Sequence, residues 1–146
     1  MKITTKGHYG LRIMMELAFA WGTGPVLVDN IAKNQGISGK YIHVLMLSLK
    51  NTGLARAVRG PNGGYLLTRA PAEITISEII HAMEGSNFPV DCVGDKTQCS
   101  RSHNCAASEL WTRIYRETEK ILAAVTLQDL IDRQRALLEP QVEYQI

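Results

Sequence analysis

Three cysteines lie within a stretch of 14 residues, and the chain contains no others: Cys92, Cys99 and Cys105. Three thiols cannot all pair within one chain, and thiolates are the soft ligands that zinc, copper(I) and iron–sulfur clusters take. Six and five residues separate them, unlike the closely paired CxxC knuckles of zinc sites, and this wider spacing suits a cluster. The pattern predicts a cluster site, with three metal-free, redox-sensing thiols as the alternative.

An enzyme would need a CxxC pair, or a cysteine with an orienting histidine and carboxylate. Cys99 and His103 form a near pair in the sequence, but the loop that carries them shows no cofactor fingerprint. A thiol oxidoreductase or cysteine nucleophile is therefore disfavoured. We expect a protein that is not an enzyme and has no small-molecule substrate.

The net charge of +2 is unevenly distributed along the chain. Residues 1–80 carry nine Lys/Arg against four Asp/Glu, whereas residues 81–146 carry seven against ten. A basic first half favours a polyanionic partner for that half alone. No apolar run has the length of a bilayer span and no secretory signal is recognisable, so we expect a cytoplasmic protein without membrane contact.

The basic half contains the pattern of a helix-turn-helix. Apolar residues recur at helical spacing from Thr5 to Trp21, and a short helix is predicted over Val28 to Gln35. After a turn at Gly36, Ser38 can cap a further helix that runs to Asn51. Its buried stripe is predicted to consist of Ile42, Leu45, Met46 and Leu49, and its opposite face of Lys40, His43, Val44 and Leu47.

A β-hairpin is predicted directly after these helices. Two short strands, 54–59 and 65–68, flank the turn Gly60-Pro61-Asn62-Gly63-Gly64, whose residues suit a tight hairpin. This is the layout of a winged helix, with Arg59 at the base of the wing. Glycines at a wing tip let the backbone approach a phosphate closely.

The second half contains one long amphipathic helix. A capping box at Thr75 and Glu78 opens a helix that ends near Glu84, and residues 86–104 are expected to be irregular. From Ala106 to Val125 the helix carries more apolar side chains than a small domain needs, and a shorter helix opened by Thr126 follows. The long helix predicts a symmetric homodimer, with packing onto its own domain as the alternative.

The predicted fold is therefore mostly α with a small β-hairpin wing: a winged helix-turn-helix plus a long C-terminal dimerisation helix. Residues 1–84 would form the DNA-binding domain, residues 85–105 a cysteine-bearing loop, and residues 106–146 the dimerisation helix and a final helix.

Several motifs together resemble one family. They are the opening Met1-Lys2-Ile3-Thr4-Thr5-Lys6-Gly7-His8-Tyr9, Gly36-Ile37-Ser38 with Tyr41, Arg59-Gly60-Pro61-Asn62-Gly63-Gly64-Tyr65, the three cysteines before Leu110-Trp111, and residues 121–130. The chain resembles, over about 135 residues, the winged-helix regulators that include IscR, NsrR and CymR, and most of all the IscR branch. The wing motif joined to the cysteines makes this resemblance specific.

The resemblance implies a double-stranded DNA operator as partner. The helix beginning at Ser38 would enter the major groove, and its residues near base edges or phosphates would be Ser38, Lys40, Tyr41, His43 and Val44. Arg59 would lie in or beside the minor groove, with Pro61 and Gly63 at the wing tip. Tyr41 could instead cap its helix against the domain body. His43 and Val44 replace acidic and amide residues of IscR, which alters the expected operator sequence.

The resemblance also implies a 2Fe–2S or 4Fe–4S cluster held by Cys92, Cys99 and Cys105 with a non-cysteine fourth ligand. Ser108 stands where IscR has that histidine, so His8, contributed by the partner subunit, is our first choice, with Ser108 or His103 behind it. The implied function is a regulator, expected to be a repressor of iron–sulfur biogenesis genes, that senses cluster, iron or redox status. Zinc or thiol-based sensing, or nitric-oxide sensing, on the same scaffold is the alternative.

Overall fold

A computed structural model describes residues 2–140, so the end of the predicted region 106–146 lies outside the described residues. The fold is mostly helical with one small antiparallel hairpin, as predicted. In chain order the elements are α1 (Thr5–Phe19), α2 (Val28–Gln35), α3 (Gly39–Asn51), β1 (Ala55–Val58), β2 (Gly64–Leu67), α4 (Ile76–Glu84), α5 (Asp91–Gly94), α6 (Ala106–Ala124) and α7 (Leu127–Leu138).

The turn of the helix-turn-helix forms because the end of α2 and the start of α3 are capped where the sequence indicates. Gly36 ends α2 in the left-handed conformation, at φ 64°, which costs glycine little. Two residues later the Ser38 side chain accepts a hydrogen bond from the Tyr41 amide at 3.2 Å and starts α3. The predicted stripe of α3 is fully buried and fixes the helix against the core. Its members are Ile42, Leu45, Met46 and Leu49.

The hairpin is anchored to the helical part by a third extended segment. β1 and β2 pair from Ala55 opposite Leu67 to Val58 opposite Gly64. Val26, just before α2, exchanges two backbone hydrogen bonds with Tyr65, at 2.8 and 2.9 Å. The wing therefore leaves the core in a defined direction beside α3.

Close backbone approach determines how α1 meets α4. A side chain at Gly7 would overlap the Glu84 carboxylate, and one at Gly10 would overlap Met83. Glu84 accepts hydrogen bonds from the Thr4 amide at 2.9 Å, the Thr4 hydroxyl at 2.6 Å and the Gly7 amide at 3.0 Å. These amides belong to the start of α1, which has no carbonyl partner for them. The last residue of α4 thus caps the first helix.

The final helix packs back onto the winged domain. Leu127 and Ile131 of α7 join its core, and the amides of Ile76 and Leu127 bond across to Val125 and Ile74 at 2.9 and 2.8 Å. Both predicted caps of this region form, with reciprocal hydrogen bonds between Thr75 and Glu78 in one and Thr126 and Asp129 in the other.

Two expectations about local structure need correction. α1 ends at Phe19 rather than Trp21, because the chain turns through Gly22, which has a φ of 81°. Residues 86–104 are not wholly irregular. They contain α5 and two 3-10 turns, Lys96–Gln98 and Ser102–Asn104, because the Asp95 carboxylate accepts from the Thr97 amide and so starts the first of these turns. Within residues 2–140, no helix is both long and apolar enough to cross a membrane.

Candidate nucleic-acid interface and cysteine site

α3 presents one exposed stripe that points away from the core. Lys40, Val44 and Leu47 follow one another at the spacing of one helical turn, and all three are exposed. Val44 is 58% and Leu47 56% exposed, although both are apolar. Among the described residues Lys40 takes part in no ion pair, so its ammonium group is available to a phosphate.

His43 is exposed but tied to the wing. Its Nδ1 lies 2.9 Å from the Tyr65 hydroxyl, and the two rings meet edge to face with centroids 6.0 Å apart. The contact joins α3 to β2. It leaves Nε2 as the ring atom that could meet a base edge.

Tyr41 supports the helix more than it projects from it. Its ring is half-buried and meets the Tyr9 ring edge-on at 6.3 Å. The Arg12 guanidinium lies over Tyr9 at 5.4 Å and donates to Gln35 of α2 at 2.6 Å. This arrangement matches the alternative in which Tyr41 packs against the domain body. Ser38, at the exposed start of the helix, caps it.

The wing exposes the residues that were expected to reach DNA, with one exception. Arg59 and Pro61 are exposed, and within the described chain Arg59 forms no ion pair. Gly63 is buried, and a side chain there would overlap the Val58 carbonyl oxygen. The turn therefore requires a glycine at position 63 whether or not DNA is bound.

Two of the three cysteines meet around one serine. The Cys92 thiol donates to the Ser108 hydroxyl at 3.3 Å, and the Ser108 amide donates to Cys105 Sγ at 3.5 Å, a distance within range for sulfur. Ser108 is only 2% exposed, whereas both cysteines are half-buried. The serine expected as a possible metal ligand thus lies between two thiols, and Cys105 is the N-terminal cap of α6.

The remaining candidate ligands are not gathered with this pair into one group among the described residues. Cys99 is exposed in the loop, and His8 is exposed on α1 with its ring beside Tyr9, at 5.7 Å. His103 and Cys105 line a cavity of about 890 Å³ between the loop and α6. Across residues 2–140 no three or more His, Cys, Asp or Glu side chains are grouped closely enough to hold a metal ion. The three thiols suit a cluster chemically, but they are not assembled around one point.

Few contacts hold the cysteine-bearing loop in place. The Phe88 ring packs on Tyr115 of α6 at 4.8 Å, and the Asn87 side chain donates to the Lys2 carbonyl at 3.0 Å. Burial, and then the Glu119 carboxylate, raise the pKa of Tyr115. Hydrogen bonds from the Thr97 side chain and backbone lower the pKa of Asp95. Of these contacts, only those of Asn87 and Phe88 reach distant segments, and Ser102 is the only loop residue that the described chain buries.

α6 has two different faces. One packs on the domain, where the Glu119 carboxylate lies within hydrogen-bonding distance of Ser77 at 3.2 Å and His81 at 3.1 Å. The other exposes an apolar stripe, and its members, with their exposed fractions, are Leu110 (50%), Trp111 (39%), Ile114 (40%) and Ile121 (65%).

A helix-turn-helix, an adjoining wing and exposed cations on both define a winged-helix DNA-binding regulator. Residues 3–133 match the family model Rrf2, described as an iron-dependent transcriptional regulator, and the chain belongs to this family. Its relatives are named transcriptional regulators, which confirms the prediction that the protein is not an enzyme.

Two curated relatives cover most of the chain. The transcriptional regulator CymR of Bacillus subtilis is 41% identical over 130 residues, which is 89% of each chain. The regulator IscR of Photorhabdus laumondii is 34% identical over 137 residues, covering 94% of this chain and 83% of that one. The predicted family is confirmed, and these identities do not single out the IscR branch within it.

Solved structures show the same fold. The structure of CymR, described as the global cysteine regulator of B. subtilis, superposes with a TM-score of 0.78 at 39% identity, covering 91% of this chain and 98% of that one. IscR of T. potens superposes with a TM-score of 0.79 at 33% identity, covering 97% and 93%.

The structure adds two residues that the sequence did not single out. The first is Glu84, which directly precedes the cysteine-bearing loop and caps the start of α1. No local pattern marks a carboxylate that caps a distant helix. Leu47 was placed on the exposed face of its helix without a role. The sequence did contain an indication of its role, because helical spacing places this apolar residue on the same face as Lys40 and Val44.

Proposed function

We propose that the chain binds operator DNA with α3 in the major groove and the wing at the minor groove. The observation that carries this is one surface formed by the exposed stripe of α3 and the exposed wing residues Arg59 and Pro61. Lys40 would contact a phosphate or a guanine edge, and Arg59 a narrow, electronegative minor groove. Ser38, Tyr41, His43 and Val44 would lie at or near the groove, with Gly63 shaping the wing tip.

Arg59→Ala tests the role of the wing. We expect operator affinity to fall about tenfold, or about 1.4 kcal/mol, at matched salt concentration. Arg133→Ala is the control, because it removes one exposed arginine from α7, away from the wing. Equal affinities of the two variants would remove the wing from the interface.

We further propose a homodimer formed through α6. Its exposed stripe is apolar at four positions, and two copies of a helix can cover such a stripe by symmetric packing. A dimer also supplies two copies of α3, as helix-turn-helix proteins need for two half-sites. Because these copies act on chromosomal DNA, we place the protein in the cytoplasm.

We propose iron–sulfur sensing as the regulatory function. Cys92, Cys99 and Cys105 supply the soft donors, and the loop that carries them has almost no core of its own, so a cofactor would order it. His8 of the partner subunit is the preferred fourth ligand, ahead of Ser108 and His103. When bound, the cluster supplies a labile centre that responds to iron, oxygen or nitric oxide. The targets would then be iron–sulfur biogenesis genes, repressed by the protein.

A thiol switch is the second candidate, and the contacts of Ser108 with Cys92 and Cys105 favour it. Two thiols and one hydrogen peroxide would give one disulfide and two water molecules, with both electrons passing from sulfur to the peroxide oxygens. The Cys92–Ser108 hydrogen bond would be lost, and the loop would be pinned to the start of α6. A structure of Staphylococcus aureus CymR is described as an oxidised form.

The role of Cys99 separates the two functions. We would purify the protein without oxygen, record its visible spectrum, and assay iron and acid-labile sulfide in wild type, Cys99→Ser and Cys92→Ser. Matched iron and sulfide that both substitutions abolish would establish the cluster. Protein without sulfide after reconstitution, with a peroxide-induced Cys92–Cys105 disulfide that forms equally in Cys99→Ser, would establish the thiol switch. Zinc without sulfide would contradict both.

A further inference from the structure

Two apolar side chains occupy the centre of the surface that faces DNA. Val44 and Leu47 are 58% and 56% exposed, whereas the residues on the other side of α3 are fully buried. Because the two side chains are one helical turn apart on the same face, they form an apolar patch and are not scattered exposed residues. A partner that offers apolar groups at helical spacing would account for it.

The charges around the pair identify that partner. Lys40 and Lys50 are exposed on the same helix, and Arg59 is exposed on the adjoining wing, so the apolar patch has cations beside it. A protein partner that complements this surface would need an acidic rim, whereas DNA supplies phosphates on both sides of the major groove. Within that groove, the C5-methyl group of thymine is the apolar group that base pairs present.

We infer that Val44 and Leu47 read the C5-methyl groups of thymines in the operator. The inference rests on the proposed placement of α3 in the major groove. It makes Leu47 a specificity-determining residue alongside Val44.

The spacing of the two side chains fits this role. Three residues advance an α-helix by about 4.5 Å, which is more than the rise of about 3.4 Å between successive bases of one strand. Each side chain can therefore meet a different thymine. His43, the polar neighbour of Val44, is held back by Tyr65 at 2.9 Å, which leaves the centre of the face to the apolar pair.

Uracil tests the inference directly, because it lacks only the methyl group and keeps every hydrogen-bonding atom of thymine. The preferred duplex would first be selected from a random library with the full-length protein. Each selected thymine would then be replaced by uracil, and affinities measured at fixed salt. We expect uracil at two positions per half-site to weaken binding about three- to tenfold each.

Two variants assign each methyl group to a side chain. Val44→Ala and Leu47→Ala should each bind the thymine duplex more weakly and lose the thymine–uracil difference at one position only. Leu137→Ala, which truncates an exposed leucine on α7, should keep both differences.

The outcomes separate the inference from the proposed function. If selection enriches no sequence, the proposed operator binding itself fails. If a sequence is enriched but uracil binds as well as thymine throughout, operator binding stands and methyl reading is overturned. If uracil weakens binding equally in wild type and in both alanine variants, other side chains read the methyl groups and the inference is overturned.

Discussion

The DNA-binding part and the cysteine-bearing part of this chain differ in how they are held together. Every buried hydrophobic side chain within residues 2–140 belongs to the segment before Gly85 or to α7. Between residues 85 and 124 the described chain buries two side chains only, and both are serines, Ser102 and Ser108. The first part has a complete core, whereas the second has none. A core of this kind lets the DNA-binding part fold without any contribution from the cysteine-bearing part.

The second part is incomplete in two distinguishable ways. Its loop has three thiols and few packing contacts, which a cofactor or a disulfide could order, and α6 has an apolar stripe, which a second copy could cover. The loop directly follows Glu84, which caps α1. A change in the loop therefore has a short physical route to α1, and through Tyr9 and Tyr41 to α3. This route is a hypothesis that DNA affinities of the two sensor states would test.

The largest expected effect comes from placing a charge on the exposed stripe of α6. Ile121→Asp should convert the dimer to a monomer, because two carboxylates would be buried at a symmetric interface. Affinity for a two-half-site operator should fall by at least about a hundredfold, since the linked second binding event is lost. Light scattering coupled to size exclusion would give the mass, and DNA titration the affinity.

Ala123→Asp is the control for that substitution. It adds the same charge to an exposed position of the same helix, away from the apolar stripe, and should leave mass and affinity unchanged. A dimer that persists in Ile121→Asp would show that a second copy does not cover the apolar stripe of α6.

Core substitutions should show the next largest effect, and only in the first part. In the monomeric Ile121→Asp background, Ile79→Ala should lower the free energy of unfolding by about 2–5 kcal/mol, because Ile79 is fully buried. Ile114→Ala in the same background removes the same atoms from a side chain that is 40% exposed, and should cost less than about 1 kcal/mol. Urea unfolding measures both, and equal losses would mean that α6 has a core of its own.

The sequence predicted the first part better than the second, and the reason is physical. Helix ends at Ser38, Thr75 and Thr126 are determined by local hydrogen bonds between residues three apart, so a local pattern finds them. The buried stripe of α3 follows from helical periodicity in the same way. Such features do not depend on what the rest of the chain does.

Contacts between distant segments could not be predicted in this way. Packing of Tyr41 on Tyr9, the capping of α1 by Glu84, and the position of Ser108 between two thiols each join segments that are far apart in sequence. The resemblance named the cysteines, but it could not indicate that two of them meet without the third. The residues that could complete a cluster stay predictions, because their grouping depends on what is bound.

The smallest expected effect is on the pH dependence of stability, and it is tested by substituting one carboxylate in each part. Burial raises the pKa of Glu78, but hydrogen bonds from Thr75 and Arg69 outweigh it and leave the pKa below its ordinary value of 4.5. A carboxyl group whose pKa is lower in the folded state than in the unfolded state stabilises the fold at pH values above its unfolded-state pKa. This stabilisation is lost as the pH falls through the folded-state pKa. Glu78→Gln should therefore lower the free energy of unfolding by about 0.5–1 kcal/mol at pH 7, as the loss of other helix caps does. The loss should become progressively smaller below pH 4.5.

Asp95 is the matched residue in the second part. Hydrogen bonds from the Thr97 side chain and backbone also lower its pKa, but it caps a turn that adjoins no core. Asp95→Asn should therefore leave global unfolding unchanged at every pH, because loosening this turn exposes no buried apolar surface. Urea midpoints of both variants between pH 3 and pH 8 would measure the contrast. A pH-dependent loss in Asp95→Asn equal to that in Glu78→Gln would show that the loop unfolds together with the winged domain, and the division into a complete and an incomplete part would fail.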